Sequence, residues 1–324
     1  MNSKARITAI GSYVPNNVMT NDDLEALVNT NDEWITKRTG IKERRIAGVD
    51  EYSSDLSLKA INDLTERYNK TISDVDMIIV TTLTPDYQTP SVASYIQGKL
   101  GIKNAGAIDL NAACAGFTYG LHMANSLITS GLHRKILVIG TETLSKIIDF
   151  TDRATCILFG DGAGAVLVEY SEKGGFLSSL VTSEGEKAHH LYGTNLSDTM
   201  FDQELQHKRQ LVQNGREVYK WAVSTVPKGM MSVLDKTPYT LEDVDWFIPH
   251  SANLRMVESI CTKAKYSMDK TLYSMEKFGN TSAASIPLAL DLGIKDGKVK
   301  AGDRLLLYGF GGGLTQCGHL IEWG

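Results

Sequence analysis

The chain has 324 residues, 42% hydrophobic, 22% charged and 8% aromatic, with 33 Lys and Arg against 38 Asp and Glu for a net charge of −5. That composition excludes a disordered or collagen-like chain, and a mildly acidic protein (pI ≈ 5.8) without a long Lys/Arg block is not expected to take nucleic acid as its partner, because phosphate neutralisation supplies most of that affinity. No apolar stretch approaches the roughly 18–20 residues of a membrane span and no signal-peptide core follows Lys4 and Arg6, so a cytoplasmic protein without membrane contact is expected.

In chain order, residues 7–14 read as a broken strand, 77–82 as a buried strand, and 91–100 as a helix opened by Pro90. A second strand is expected at 107–111, a helix at 116–130 that ends at Gly131, and a third strand at 135–140. Residues 156–169 read as strand, glycine loop, strand: a hairpin that closes the sheet. The poorly patterned stretch 183–207 is the expected long functional loop. A strand ending at Ile248-Pro249, a helix from about Leu254, and a second glycine hairpin over 304–314 complete the pattern.

An internal repeat underlies this order. At an offset of 169 residues, Asp74-Val-Asp-Met-Ile-Ile-Val80 falls on Asp243-Val-Asp-Trp-Phe-Ile-Pro249, Asn111-Ala-Ala-Cys-Ala-Gly116 on Asn280-Thr-Ser-Ala-Ala-Ser285, and Lys135-Ile-Leu-Val-Ile-Gly140 on Arg304-Leu-Leu-Leu-Tyr-Gly309. A constant offset without gaps predicts an α/β protein of two similar halves, 1–172 and 173–324, each with a mostly parallel sheet between helices.

The glycines Gly160, Gly162 and Gly164, and Gly309, Gly311, Gly312 and Gly313, follow strands but precede more strand, whereas a dinucleotide fingerprint needs a helix to open there. Tight turns are the better reading of the first set. The second has more glycine than a turn requires and suggests backbone N–H groups close to a substrate.

The four cysteines are far apart, with no zinc-like spacing. Cys156 and Cys317 fall in strand patterns and Cys261 in a helix, all expected in the core. Cys114 stands between a buried strand and a helix start among small residues, where free N–H groups favour thiolate; a nucleophile and a small core filler both fit that spacing. Six of the seven histidines occupy helix-like or loop contexts, whereas His250 projects from the end of a buried strand. The repeat brings Asn280, the counterpart of Asn111, near Cys114 across a pseudo-twofold axis. Cys, His and Asn at facing strand ends suit acyl transfer, although Asn280 also fits a plain helix cap.

These residues resemble the β-ketoacyl-acyl-carrier-protein synthase III family of the thiolase-like superfamily. The resemblance runs over essentially the whole chain: Ile10-Gly-Ser-Tyr-Val-Pro15, Asn31-Asp-Glu-Trp-Ile35 with Arg38-Thr-Gly-Ile41, the block around Cys114, Phe159-Gly-Asp-Gly-Ala-Gly164, His250-Ser-Ala-Asn-Leu-Arg255, Phe278-Gly-Asn280 and Gly309-Phe-Gly-Gly-Gly313. His250 to Met256 and Asn214 to Trp221 look most like a second isoform of some Gram-positive bacteria. The resemblance implies a five-layered α-β-α-β-α fold, a homodimer, and no metal or redox cofactor. It implies acyl transfer from acyl-CoA to Cys114, then decarboxylative condensation with malonyl on acyl carrier protein, starting type II fatty-acid synthesis. His250 and Asn280 would hold the malonyl thioester oxygen, and the N–H groups of Cys114 and Gly312 would form the oxyanion hole.

By position, Trp34 and Arg153, with Thr30 and Arg38, resemble the CoA site; Arg255, Lys220 and Lys263 resemble the surface that receives the acidic carrier protein; and Thr89 stands at the end of the acyl pocket, where many short-chain enzymes carry Phe. Ser251 in place of Gln and Arg216 in place of Asn depart from the family. The runner-up functions are a specialised ketosynthase or acyltransferase of secondary metabolism, a non-catalytic carrier-protein-binding subunit, and a Cys-His-Asn hydrolase.

Overall fold

A computed structural model describes residues 2–206 and 210–324; His207, the last residue of the 183–207 stretch, lies outside the described residues. Five strands form the first sheet: β1 (Ala5–Tyr13), β2 (Met77–Thr81), β3 (Gly106–Leu110), β4 (Lys135–Thr143) and β5 (Asp161–Tyr170). Their order is β1-β5-β4-β2-β3, with β4, β2 and β3 parallel and β5 antiparallel to both of its neighbours. All nine residues of β4 are buried, as a central strand covered on both faces requires. Four strands form the second sheet: β6 (Phe176–Ser183), β7 (Trp246–Pro249), β8 (Arg304–Gly311) and β9 (Thr315–Glu322), in the order β7-β8-β9-β6 with β7 and β8 parallel and the rest antiparallel.

The 169-residue offset reappears in the backbone. β2 starts at Met77 and β7 at Trp246, β4 at Lys135 and β8 at Arg304. Asp76 accepts from the N–H groups of Arg134 and Lys135 at 2.6 and 2.9 Å, and its counterpart Asp245 accepts from Arg304 N–H at 2.8 Å. β3 has no partner in the second sheet.

Helices cover both sheets and fill the space between them. α1 (Asp32–Thr39) is a short surface helix capped by Asn31, and α2 (Ser53–Tyr68) and α3 (Val92–Leu100) lie on the outer face of the first sheet. α4 (Gly116–Thr129) and α7 (Ser285–Lys295) lie between the sheets, in one core with residues from both. Phe117, Leu121, Ala124 and Ile128 form the buried stripe of α4 at i, i+4, i+7 and i+11. α5 (Gly215–Leu234) and α6 (Leu254–Ala264) cover the outer face of the second sheet. On amphipathic α6, Met256, Val257, Ile260 and Cys261 are buried while Arg255, Glu258 and Lys263 are exposed. The result is five layers, helix, sheet, helix, sheet, helix.

Residues 156–169 are not a hairpin. Cys156 ends a helical turn (Arg153–Cys156), and Asp161–Tyr170 is one straight strand between β4 and β1. Gly160, Gly162 and Gly164 are there for close approach rather than for turning, and none has positive φ. A Cβ would lie 2.1 Å from the Phe278 carbonyl oxygen at Gly160, 3.0 Å from Leu288 at Gly162 and 2.5 Å from Pro287 at Gly164. The second glycine run does turn, between β8 and β9. The stretch from 183 is not a structureless loop either. It holds a 3-10 turn (Gly185–His190), a strand (Leu191–Gly193) paired with Leu211–Gln213, and a two-residue ladder, Thr199–Met200 with Gln203–Glu204.

Asp291 of α7 is tied to the first sheet's outer helix. Arg67 of α2 donates to it at 2.5 Å, Ser12 at 2.5 Å and Lys295 at 2.8 Å. Burial alone raises its pKa, but these donors outweigh burial and hold the carboxyl below its usual value. Its contribution is therefore complete above the unfolded pKa of about 3.9 and disappears as pH falls through the folded value. Asp291→Asn is expected to cost about 3 kcal/mol at pH 7, because it leaves Arg67 without its buried partner. Urea denaturation should show that deficit shrinking below about pH 4.

Candidate active site

A cavity of about 830 Å³ opens between the halves and is lined by Cys114, His250, Asn280, Ser282, Phe310, Gly311 and Gly312. Cys114 is the middle residue of a 3-10 turn (Ala113–Ala115) that leads from β3 into α4. Ala113 enters the turn in the left-handed region (φ 46), and Asn111 holds it by accepting from Ala113 N–H at 3.1 Å. The second half repeats this geometry: Ser282 has φ 47, and Asn280 Oδ1 accepts from Ser282 N–H at 2.9 Å. That bond commits the Asn280 carbonyl and leaves its NH2 group for the cavity. The Asn280 backbone is pinned to the first half, donating to Leu158 O at 2.8 Å and accepting from Gly160 N–H at 3.0 Å.

Strand β8 passes directly against the Cys114 turn. A Cβ on Gly311 would lie 2.7 Å from Cys114 Cβ and 3.1 Å from Sγ, so only glycine fits. Burial pushes the thiol up to about 12, although the Ser282 hydroxyl and the N–H groups of Cys114 and Gly312 each favour its thiolate. The expected thiolate preference at a helix start is thus outweighed by desolvation in the resting protein.

His250 follows β7 and is 2% exposed; its N–H continues the parallel ladder by donating to Tyr308 O at 2.8 Å. Its Nδ1 lies 2.8 Å from the Ser285 hydroxyl, which already accepts from Ser251 N–H at 3.2 Å. The Nε2–H tautomer fits this contact, with the hydroxyl donating to Nδ1. Burial pulls the imidazole pKa down to about 3, so His250 is a neutral N–H donor. The Phe310 ring meets its edge at 5.3 Å.

The other sequence-predicted residues lie outside this cavity. Trp34 is flanked by two guanidinium groups, Arg38 at 4.7 Å and Arg153 at 4.9 Å from the ring centroid. Arg153 also donates to Asn29 O at 2.9 Å, and the Thr30 hydroxyl is shut away without a partner. Trp34 and Arg38 sit on α1, whose C-cap Gly40 abuts Leu254, the neighbour of cavity residue Asn253. Arg255 and Lys263 are exposed on α6, and exposed Lys220 on α5 pairs with Glu217 at 3.2 Å.

Thr89 is not among the residues that line this cavity in the single chain. It is exposed, where the segment leaves the cavity for the cap of α3, and its neighbour Gln88 lines the wall instead, with Leu83 and Pro85. Ser251 is also turned inward, accepting from Ser274 N–H at 3.0 Å. His319 corrects the grouping of the histidines: it is a buried residue of β9, in contact with the Thr118 carbonyl at 2.8 Å. The sequence reading missed Ser282, Ser285, Phe310 and Glu142. Only Glu142, a lone charge inside an apolar strand, left a readable signal. Among the described residues, no group of three or more His, Cys, Asp or Glu side chains is placed to hold a metal ion.

Two profiles of 3-oxoacyl-[acyl-carrier-protein] synthase III match the chain, one over residues 108–185 and a C-terminal one over residues 234–323. The chain is 65% identical over 322 residues to the β-ketoacyl-[acyl-carrier-protein] synthase III 2 of Halalkalibacterium halodurans, covering 99% of this chain and 97% of that protein. It is 61% identical to the protein of the same name from Staphylococcus epidermidis, covering 100% and 99%. The crystal structure of the β-ketoacyl-[acyl-carrier-protein] synthase III of Thermus thermophilus superposes with a TM-score of 0.95 at 43% identity, covering 98% and 99%.

Iodoacetamide is expected to modify Cys114 before the other three cysteines, which are buried without lining the cavity. Peptide mass spectrometry of the native protein after brief labelling checks this.

Proposed function

The chain belongs to the β-ketoacyl-[acyl-carrier-protein] synthase III family and is a condensing acyltransferase that starts fatty-acid synthesis; on that premise we propose how its own residues divide the reaction. Cys114 Sγ attacks the thioester carbon of an acyl-CoA, the oxyanion is held by the N–H groups of Cys114 and Gly312, and the CoA sulfur leaves with its electron pair. Malonyl carried on acyl carrier protein then loses CO2. Its enolate oxygen is held by His250 Nε2–H and the Asn280 NH2 group, and the enolate carbon attacks the acyl group and releases Cys114. The carrying observation is the meeting of these three side chains in one cavity, with His250 held neutral and its Nδ1 engaged by Ser285. Preorganised donors of this kind act where charge develops, in a site that excludes water.

Trp34, Arg38, Arg153 and Thr30 are proposed to receive the nucleotide end of CoA. Arg153 stands over Trp34, so an adenine entering between them displaces the guanidinium from its bond to Asn29. Arg255, Lys220 and Lys263 are proposed to meet the acidic carrier protein. Arg255 and Lys263 lie on the helix that begins beside cavity residue Asn253, and complementary charge there speeds encounter more than it tightens binding. A division into halves 1–172 and 173–324 and a cytoplasmic location complete the reading. Its support is the repeated turn geometry and, among the described residues, the absence of any helix long and apolar enough to cross a membrane.

A homodimer is proposed through β3, which leaves one edge of the first sheet unpaired and exposes Ile108 (46%), with Tyr87 (51%) nearby in sequence before α3. Ile108→Glu is expected to shift the protein to monomer in size-exclusion chromatography with light scattering, and an unchanged dimer would place the contact elsewhere.

The function is tested by incubating the protein with acyl-CoAs and then malonyl-acyl-carrier-protein under intact-mass detection. The expected course is an acyl adduct on Cys114 that discharges to a ketoacyl carrier protein with CO2 release. His250→Ala and Asn280→Ala are expected to slow the second stage by about 10²–10³ while leaving adduct formation near the wild-type rate. Equal losses in both stages would remove these residues from the enolate step.

A further inference from the structure

Glu142 has no part in the chemistry described so far. It is the penultimate residue of β4 and is 0% exposed. Its carboxylate accepts from the Thr84 hydroxyl at 2.6 Å, the Thr82 hydroxyl at 3.2 Å and Leu83 N–H at 3.1 Å. No cation is among the groups that set its charge. A buried carboxylate without a counter-ion is costly, and beside a cavity it marks a group with a proton to take or give.

The turn that carries Ser282 packs on the face of β4 that Glu142 shares with Gly140, where a Cβ would lie 2.4 Å from the Ala283 carbonyl oxygen, and it also meets the start of α4 beside Cys114, where a Cβ on Gly116 would lie 3.4 Å from Ala283 Cβ. Ser282 is 1% exposed, is held in the left-handed region, and its hydroxyl oxygen has no well-formed hydrogen bond of its own. The same hydroxyl bears on both the Cys114 thiol and the Glu142 carboxyl, favouring the charged form of each. Thiol and carboxyl thus both bear on one buried hydroxyl that no other group engages.

We propose that Glu142 is the proton acceptor for Cys114, acting through the Ser282 hydroxyl. This rests on Cys114 being the nucleophile. As Sγ forms its bond to the acyl carbon, the thiol proton passes to Ser282 Oγ and the Ser282 proton to Glu142. The C–S bond to CoA breaks, and its electron pair leaves on the CoA sulfur, which is protonated in solvent. In the condensation the C–Sγ pair returns to Cys114, and the proton comes back from Glu142 by the same route.

Two physical points favour this acceptor. Burial pushes Glu142 up to about 7 and His250 down to about 3, so the carboxylate is the stronger base of the two. Glu142 and Cys114 also repel as anions, so one negative charge shared between them is the favoured state. The titratable group on which Glu142 bears is Cys114. Asp161, on the paired β5, turns to Ala47 N–H at 2.7 Å and Ser145 N–H at 2.9 Å instead.

The test is the pH profile of single-turnover acylation of Cys114 by an acyl-CoA, read by intact mass, in wild type, Glu142→Gln and Ser282→Ala. The wild-type rate is expected to rise with pH and level off above about 7, as the carboxylate form fills. Both variants are expected to be slower near neutrality by on the order of 10². They should also keep rising about tenfold per pH unit through that range, because only pre-ionised thiolate then reacts. A purely structural role lowers the rate by one factor at every pH. Variant profiles that level off where the wild type does, or a Gln variant at the wild-type rate, overturn the proposal. Ser282→Ala leaves the carboxyl and its threonine partners in place, so it carries the test where Glu142→Gln fails to fold. Absence of any Cys114 adduct in the wild type overturns the nucleophile assignment itself.

Discussion

The site depends on the close approach of two helix starts. α4 and α7 enter the middle layer through matched 3-10 turns, Ala113–Ala115 and Ser282–Ala284, and the turns meet because almost every residue in them is small. A Cβ on Gly116 would lie 3.4 Å from Ala283 Cβ, one on Gly140 would lie 2.4 Å from the Ala283 carbonyl oxygen, and one on Gly309 would lie 2.8 Å from Ala115 Cα. Close packing leaves no room to relax such contacts. The alanine, serine and glycine blocks around Cys114 and Asn280 are thus the condition for bringing a thiol from one half beside an amide and an imidazole from the other.

That packing also sets the electrostatics. Both turns are largely buried between the sheets, and every charged form there is penalised: the imidazole of His250 is neutral, the thiol of Cys114 is protonated, and the carboxyl of Glu142 is raised toward neutrality. Chemistry in such a place has to rely on fixed donors rather than on ions. The N–H groups at Gly312 and Cys114, the Asn280 amide and the Nε2–H of His250 are all neutral dipoles whose orientation is established before substrate arrives. Ser285 belongs to this arrangement because its hydroxyl engages Nδ1 of His250 at 2.8 Å and so fixes the ring's orientation.

Much of this was legible in the sequence because it is periodic. The 169-residue offset placed Asn280 opposite Cys114, and the strand end before His250 put that residue on the same edge. What escaped was whatever depends on contacts between distant segments. Gly160, Gly162 and Gly164 look like a turn in isolation; only the chain at Phe278, Leu288 and Pro287 pressing on them explains a straight strand. His319 looks like a loop histidine until β9 is paired on both sides. Ser282 and Ser285 lay inside a motif already assigned to Asn280, so their chemistry was hidden behind their neighbour's.

The repeat also shows where a symmetric frame was made asymmetric. At the 169-residue offset Cys114 corresponds to Ala283, so one turn carries the nucleophile and the other only a methyl group. The strand residues that face the turns have diverged in the opposite sense. Gly311 on β8 lies against Cys114, where any side chain would strike the sulfur. Its counterpart on β4 is Glu142, which reaches Ser282. Glycine is required where the strand must admit a thiol, and a carboxyl is accommodated where the opposing turn offers a hydroxyl and no sulfur. Because the two turns touch, Glu142 acts on Cys114 through the second half's serine although strand and cysteine belong to the same half. The repeated turn geometry thereby brings one thiol and one carboxyl, rather than two of either, to opposite ends of the same pseudo-symmetric contact.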